Sequence, residues 1–487
     1  MNLAAIELIL VGITALLALW TMGHAMLHKP EPRAAAIWIL ICLAVPLLGA
    51  VLYLLFGINR RTSRARRRAA TRLPDEQMTS PLGGATQTAE KVTVPAELEH
   101  YRALVLTTGQ VTGLPLLAGN RLEPLFNGDA AYPRMLQAIA SARRWIYLSS
   151  YIFDGRDAGQ QFVDALHQAH LRGVEVRVVI DGIGEWYDGG RTRRQLRRAG
   201  IGAVVFLPPQ LLPPQLAVNL RNHRKLLLID GRLGFVGGMN IRTQNQNWRG
   251  QPRSIADLAV QITGPVLEQM IEVAVSDWRY VTGDQWQPPS LPVETSAEPP
   301  APFVSTALCR VIPDGPAQQE DKLLAVLLGA VATAREAVWL MTPYFLPPRE
   351  LAALLLAAVR RGVAVTIVLP QKSDHPIVQW ASLHALPELL VGGVRVYRQP
   401  PPFAHTKLVV VDEHYSQFGS ANIDARSLHL NFELMVESYD QHFCEQMVRH
   451  CQTVIEQSEP LNAQMLLSRP LWVRLRNAFF WLFSPNL

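Results

Sequence analysis

The sequence predicts an α/β protein in which two duplicated α/β units pack about a pseudo-two-fold axis, preceded by an N-terminal transmembrane helical hairpin. Three observations carry this expectation. Two long stretches near the N-terminus contain no charged residue. Two later regions repeat the same blocks in the same order. Each region also contains a near-copy of one polar pattern, "HRKLLLID" from His223 to Asp230 and "HTKLVVVD" from His405 to Asp412.

The hairpin comes first in the chain. Residues 8–27 and 34–58 are uncharged, and crossing a hydrocarbon core takes about 20 apolar residues. The link "HKPEPR" between them is too short for anything but a tight return, so residues 1–60 read as a two-helix hairpin. A secretory signal would carry a basic leader, whereas Glu7 is the one charge ahead of the first stretch. Seven arginines lie between Arg60 and Arg72, against Lys29 and Arg33 in the link. The positive-inside rule therefore puts both termini and the downstream chain in the cytoplasm. The same arginines are attracted to anionic headgroups by about 1 kcal/mol each. They exceed the formal net charge of +6 of the 487-residue chain, so no broad basic face for nucleic acid is expected. The four cysteines have neither disulfide density nor a metal-ligand spacing.

Residues 61–100 form a basic segment followed by a polar, Gly- and Pro-broken linker, and 286–303 form a Pro-rich linker. These bound the first unit at 101–285 and the second at 304–487. The first unit carries "SARRWIYLSSYIF", "LRGVEVRVVID" and "AGIGAVVFLPP" ahead of its polar pattern. The second carries "TAREAVWLMTPYFLPP", "RRGVAVTIVLP" and "GGVRVYRQPP" ahead of its own. Helix-period segments such as "AGQQFVDALHQAHLRG" and "ELAALLLAAVRRG" precede short β-branched runs, the signature of βαβ units in a mostly parallel sheet.

Strand alternation puts His223 and Lys225 on one face, and likewise His405 and Lys407. Fifteen positions beyond each lysine stands an asparagine, Asn240 in "GGMN" and Asn422 in "GSAN". An imidazole, an ammonium and a carboxamide suit an anion with several acceptor oxygens, and phosphate fits best. Two separate sites or one shared site could result. In a shared site one neutral ring can attack phosphorus while the other, protonated, supplies the leaving alkoxide with a proton. The lysines and asparagines would then stabilise the oxygens without a metal. Asp230 and Asp412, at the far ends of the strands, read as structural. A lone strand histidine is usually a packing or hydrogen-bonded residue; a repeated His, Lys and Asn at common offsets is not so explained.

The paired segments "HRKLLLIDGRLGFVGGMN" and "HTKLVVVDEHYSQFGSAN" resemble the two HKD motifs of the phospholipase D superfamily. With the hairpin, "TPYFLPP", "NIDARSLHLNFE" and "RPLWVRLRNAFFWLFSP", the whole chain resembles the bacterial cardiolipin synthase branch. The resemblance implies that His223, Lys225, Asp230, His405, Lys407 and Asp412 form the catalytic set, with Asn240 and Asn422 on phosphate. It also implies an acid downstream of each histidine and set against it to orient the ring, so that Asp257 falls to His223 and Glu433 to His405; one repeat supplies Asp and the other Glu, at different distances from the preceding histidine. The implied reaction joins two phosphatidylglycerols into cardiolipin and glycerol through a phosphatidyl-histidine, with no cofactor and no metal; its partners are phosphatidylglycerol and anionic membrane lipids. A phosphodiesterase acting on nucleic acid, a lipid hydrolase and a non-catalytic scaffold are the rivals. A CDP-dependent synthase would need D-x-x-D-G-x-x-A-R, which the sequence lacks. The apolar "VVFLPPQLLPPQLAVNLRNH" is expected either to admit acyl chains or to pack between the units, and the C-terminal "WVRLRNAFFWLF" either to lie in the membrane interface or to cap the second unit.

Overall fold

A computed structural model describes residues 3–29, 32–54, 96–208, 220–246, 253–289, 307–315 and 321–484. The arginines at 60–72, the linker to residue 95, residues 290–303 of the second linker and residues 209–219 of the apolar connection lie outside these.

The chain divides into two units, and the first comprises the N-terminal helices. Helix Leu3–His28 is unbroken, and its stretch Leu10–His28 is long and apolar enough to cross a membrane. Leu16, Leu19, Met26 and Leu27 are each more than 60% exposed within the protein, as a lipid-facing surface requires. The expected second span over 34–58 is not one helix. It runs as Pro32–Ala44 and Pro46–Leu52, with Val45 between them out of helical geometry at φ −139° and ψ 79°. Pro46 has no N–H to donate, and its ring disfavours helical geometry at the preceding residue, which accounts for the break. The two segments pack through polar as well as apolar contacts: the Thr21 hydroxyl meets Cys42 Sγ at 3.4 Å, and His24 Nδ1 meets the Tyr53 hydroxyl at 2.8 Å.

The second unit is built on one fifteen-stranded sheet. The first repeat contributes β1 (Leu117–Phe126), β2 (Trp145–Ser150), β3 (Glu175–Asp181), β4 (Gly202–Phe206), β5 (Leu226–Ile229), β6 (Leu233–Gly237), β7 (Ile255–Ala256) and β8 (Leu258–Thr263). The second contributes β9 (Ala307–Asp314), β10 (Ala337–Met341), β11 (Ala364–Pro370), β12 (Arg395–Gln399), β13 (Phe403–Ala404), β14 (Leu408–Val411), β15 (Tyr415–Gly419), β16 (Glu433–Tyr439) and β17 (Glu459–Leu461). Outward from the middle, the order is β1-β8-β6-β5-β2-β3-β4 on one side and β9-β16-β15-β14-β10-β11-β12 on the other, with β17 added at the edge. The halves thus match strand for strand, and β1 pairs antiparallel with β9 to join them. The sheet is mixed, not mostly parallel as the βαβ blocks predict: in each half only three strands are parallel and carry helical crossovers, while the hairpin that bears the His-Lys pattern and the strands toward the middle pair antiparallel.

Three apolar cores follow from helices on both faces. The second is shared: helices Val266–Thr282 and Gln441–Glu456 cover the middle of the sheet and bury Trp278, Phe443 and Met447 with residues of both repeats. The outer faces are covered separately. One boundary differs from the sequence expectation. Residues 101–112, assigned to the first repeat, pack in the core of the second: Tyr101, Leu104 and Val105 lie among Leu323, Val338 and Tyr415, and the Tyr101 hydroxyl donates to the Val411 carbonyl at 3.2 Å. The buried Arg310 fixes this crossing, donating to the Val105 and Leu114 carbonyls while paired with Glu437.

Candidate active site

The polar pattern of each repeat is anchored at its far end by its aspartate. Asp230 and Gly231 take positive φ of 52° and 68°, and Asp412 and Glu413 take 50° and 55°, opening the tight three-residue loops 230–232 and 412–414 of the two hairpins. The Asp230 carboxylate accepts from the amides of Arg143, Arg144 and Trp145, and Asp412 from those of Arg335, Glu336 and Ala337, all at 2.8–2.9 Å. Both aspartates therefore clamp the start of the neighbouring strand, β2 or β10. Their place among the catalytic set is structural, because every one of these bonds is made to backbone remote from the histidines.

At the other end, the repeats interlock. The His223 amide donates to the Phe432 carbonyl at 2.9 Å, and the His405 amide donates to the Ala256 carbonyl at 2.8 Å. Each acceptor is the residue immediately before an acid of the opposite repeat. The consequence is a crossed pairing of side chains. His223 Nδ1 lies 3.0 and 3.1 Å from the Glu433 carboxylate, and His405 Nδ1 lies 2.7 Å from Asp257 Oδ2. The sequence reading set each acid against the histidine upstream of it in its own repeat; the acids do hold the rings, but across the interface. The buried Arg224 fastens the crossing, donating to the Glu433 and Asp314 carbonyls at 2.9 Å while paired with Asp277. A second buried pair, Arg221 with Asp181, fixes the approach to His223.

All the polar groups meet in one place. Lys225 Nζ donates to the His223 carbonyl at 2.6 Å, and Lys407 Nζ makes the equivalent bond to the His405 carbonyl. Each lysine's charge acts on the other repeat's histidine, and a Cβ added to Gly238 would stand 2.6 Å from Asp257 Oδ1 and 3.0 Å from Lys407 Cδ. Of the two possibilities the sequence left open, the structure has the single shared site. Asn240 Oδ1 accepts from the Ile152 amide at 3.0 Å, which leaves its two N–H donors for a ligand, and Asn422 is buried beside Asp424.

The electrostatics follow from burial. The His223 and His405 side chains are 13% and 11% exposed. Burial pushes His223 down to about 4, with Glu433 opposing and Lys225 reinforcing. Burial and Lys407 lower His405, against Asp257. Desolvation also depresses both lysines, Lys407 to about 8. Burial works against ionisation of Glu433, yet the adjacent His223 and Lys225 and the Ser420 hydroxyl hold its carboxyl below the usual range. A carboxylate at Nδ1 fixes the tautomer: Nδ1 carries the proton and the Nε2 lone pair is left unused. Lys407 Nζ also approaches His405 Nδ1 at 2.9 Å, but an ammonium cannot donate to a nitrogen that bears a proton, so its bond is the one to the carbonyl. The basicity of both rings and both ammonium groups is thus depressed by burial, and with the two carboxamides they form an arrangement suited to an anion, whose charge would restore the protons that burial disfavours.

Three contributors escaped the sequence reading. Ser420 Oγ donates to Glu433 Oε2, Asn431 Nδ2 reaches Glu433 Oε1 at 3.4 Å, and the Tyr151 ring stands edge-on to His223 at 5.1 Å, with Lys225 Nζ 5.4 Å from its centre. The serine of "GSAN" against the glycine of "GGMN" was the visible signal for the first; nothing local marked the others.

A family model described as "Cardiolipin synthase, PLD-like domain" matches this chain twice, over residues 135–275 and 327–455, and one described as "Phospholipase_D-nuclease N-terminal" matches residues 16–57. A cardiolipin synthase A of Pseudomonas putida is 31% identical over 93% of this chain and 92% of its own length. A cardiolipin synthase of Alkalihalophilus pseudofirmus is 30% identical over 94% of this chain and 90% of its own. The crystal structure of a phosphatidylserine synthase from Haemophilus influenzae superposes with a TM-score of 0.59 at 16% identity, over 78% of this chain and 99% of that one, a likeness of fold.

Proposed function

Because this chain belongs to the cardiolipin synthase family of phospholipase D-like proteins, we propose that it transfers a phosphatidyl group from one phosphatidylglycerol to another, giving cardiolipin and glycerol. The observation that carries this reading is the crossed carboxylate pairing, which orients two imidazoles from different repeats at one buried site. The family resemblance favours the N-terminal copy as nucleophile: His223 Nε2 attacks phosphorus, the P–O bond to glycerol breaks, and protonated His405 gives its proton to the departing alkoxide. The hydroxyl of the second phosphatidylglycerol then returns a proton to His405 as its oxygen attacks the phosphatidyl-histidine, releasing His223. Lys225, Lys407, Asn240 and Asn422 stabilise the charge on the non-bridging oxygens. Asp257 and Glu433 hold the rings and stabilise them when protonated.

The chain is membrane-associated through its N-terminal apolar helix. The finer reading is a multi-pass inner-membrane enzyme with its catalytic unit on the cytoplasmic side, supported by the second, Pro-broken apolar segment and by the arginines at 60–72. The test is to supply phosphatidylglycerol in a mixed bilayer and identify products by mass. Cardiolipin with equimolar glycerol is expected, unchanged by a chelator. Phosphatidic acid in place of cardiolipin would make the protein a hydrolase, and activity lost to a chelator and restored by metal would contradict the two-histidine mechanism.

A further inference from the structure

The helix Leu471–Trp481 presents a face that the catalytic unit does not use. One side packs on helix Pro376–Val391: Phe480 meets the Trp380 ring at 5.2 Å, Trp481 meets His384 at 5.0 Å, and Asn477 is buried. The other side carries Leu471, Trp472, Leu475 and Phe479, continued by Leu482 and Phe483, each between 47% and 68% exposed. At ~100° per residue these six fall within an arc of about 120°. Arg474 and Arg476 flank that arc on its two sides, and the Arg476 guanidinium stacks 4.2 Å over Trp380.

Charge decides what covers the stripe. From Pro460 to Leu487 the sequence contains Arg469, Arg474 and Arg476 and no acidic residue. Arg398 nearby is paired with Glu459 at 2.7 Å, so the net positive charge around the apolar strip comes from Arg469, Arg474 and Arg476. A second copy docked on the same face would set the same three arginines against each other. An anionic leaflet supplies both what the strip needs and what the arginines need. The supporting helix begins two residues after Asp374, whose carboxylate takes the Tyr344 hydroxyl at 2.6 Å, and the Tyr344 ring meets His375 at 5.6 Å. Asp374 in turn acts on Lys407, so this helix leads from the catalytic lysine to the exposed strip.

We infer that helix Leu471–Trp481 is a second membrane contact, lying in the interface with Trp472, Leu475 and Phe479 among the acyl chains and its arginines on anionic headgroups. The inference rests on the membrane-associated reading but not on the identity of the reaction.

The described cysteines, Cys42, Cys309, Cys444 and Cys451, are all buried, so an introduced thiol can be labelled selectively. The full chain carrying Leu475→Cys with a nitroxide is reconstituted in bilayers containing phosphatidylglycerol, with Gln452→Cys as an exposed polar control. The Leu475 label is expected to collide with oxygen and to be protected from an aqueous nickel chelate, whereas the control stays open to the chelate. A Leu475 label open to the chelate overturns the inference, as does one shielded from both reagents or broadened by a second label, since protein would then cover the face. In parallel, the double variant Leu475→Glu with Phe479→Glu should lose about tenfold in turnover on bilayers and little on detergent-dispersed lipid. Equal rates on bilayers would also overturn it. The label reports position without any turnover, so failure of the proposed reaction would leave this result readable.

Discussion

Behind His223 stands Glu433, a carboxylate itself held by the Ser420 hydroxyl and the Asn431 amide; behind His405 stands Asp257, one methylene shorter, packed where Gly238 leaves room. Ser420 and Gly238 are equivalent positions of the two repeats, "GSAN" against "GGMN". The longer acid reaches its ring with help from a hydroxyl, and the shorter acid needs a position without a side chain. What the duplication has kept is the distance from carboxylate to Nδ1, and what it has let vary is the means. A second difference falls on the ring's other side. Tyr151 stands against His223, whereas the equivalent position of the second repeat is Pro343. The two histidines therefore have distinct surroundings within a nearly symmetric frame, as the proposed division into nucleophile and general acid requires.

The largest effect tests whether both halves act as one. His223→Ala and His405→Ala should each cost several orders of magnitude in turnover, and the double variant should be scarcely worse than either, because groups acting as a unit are not additive. Residual activity above a tenth of the parent in either single variant would mean that one repeat can work alone.

Next come the crossed acids. Glu433→Gln and Asp257→Asn should each lower kcat by roughly 10³ to 10⁴-fold through loss of the correct tautomer. The crossing itself is read by nitrogen-15 shifts of the histidine rings. Glu433→Gln should disturb His223 and leave His405 nearly unchanged, and Asp257→Asn should do the reverse. The opposite pattern would restore the within-repeat pairing expected from sequence.

Those expectations mark how far the sequence could be read. The repeated His-x-Lys was legible because a spacing of two on a strand fixes a common face, and the βαβ blocks because hydrophobic period and β-branched runs are local properties. The crossing was not, since it depends on how two strands dock: Glu433 is 210 residues from His223, and Asp257 is 148 residues from His405. For the same reason residues 101–112 were placed with the wrong repeat; sequence proximity says nothing about which core a short helix covers. The second apolar segment reads as one helix by composition, because its apolar content hides the local effect of Pro46 on Val45.

A smaller change exchanges the supports. Gly238→Ser places a Cβ 2.6 Å from Asp257 Oδ1, so that carboxylate must shift, and a loss of about 100-fold is expected. Ser420→Gly removes one hydroxyl from Glu433 and should cost about 10-fold. Equal losses would mean that the two positions are interchangeable and that the difference between the repeats is incidental.

The smallest effect is a displacement of the pH profile. The substrate-free enzyme must hold His223 neutral and His405 protonated. His223 is pushed down to about 4, so kcat/KM should fall on the acid side only near that value. His405 is lowered by burial and by Lys407, so the alkaline limb should lie below the ordinary histidine value as the ring loses its proton with rising pH. Lys407→Met removes the neighbouring positive charge and should move that limb upward even as the rate falls. A limb that stays in place would detach Lys407 from the protonation of His405.

In the proposed mechanism one diester is handled by two histidines of different duty, and the direct measurement is to trap the intermediate. Enzyme mixed with phosphatidylglycerol labelled in the phosphatidyl group, quenched rapidly in base and digested, should carry an acid-labile, base-stable adduct on the peptide containing His223. His223→Ala should carry none, while His405→Ala should be labelled slowly, since the nucleophile survives without its acid. An adduct mapped to His405 in the intact enzyme would reverse the roles, and no adduct on either ring under conditions of turnover would contradict covalent catalysis at this site.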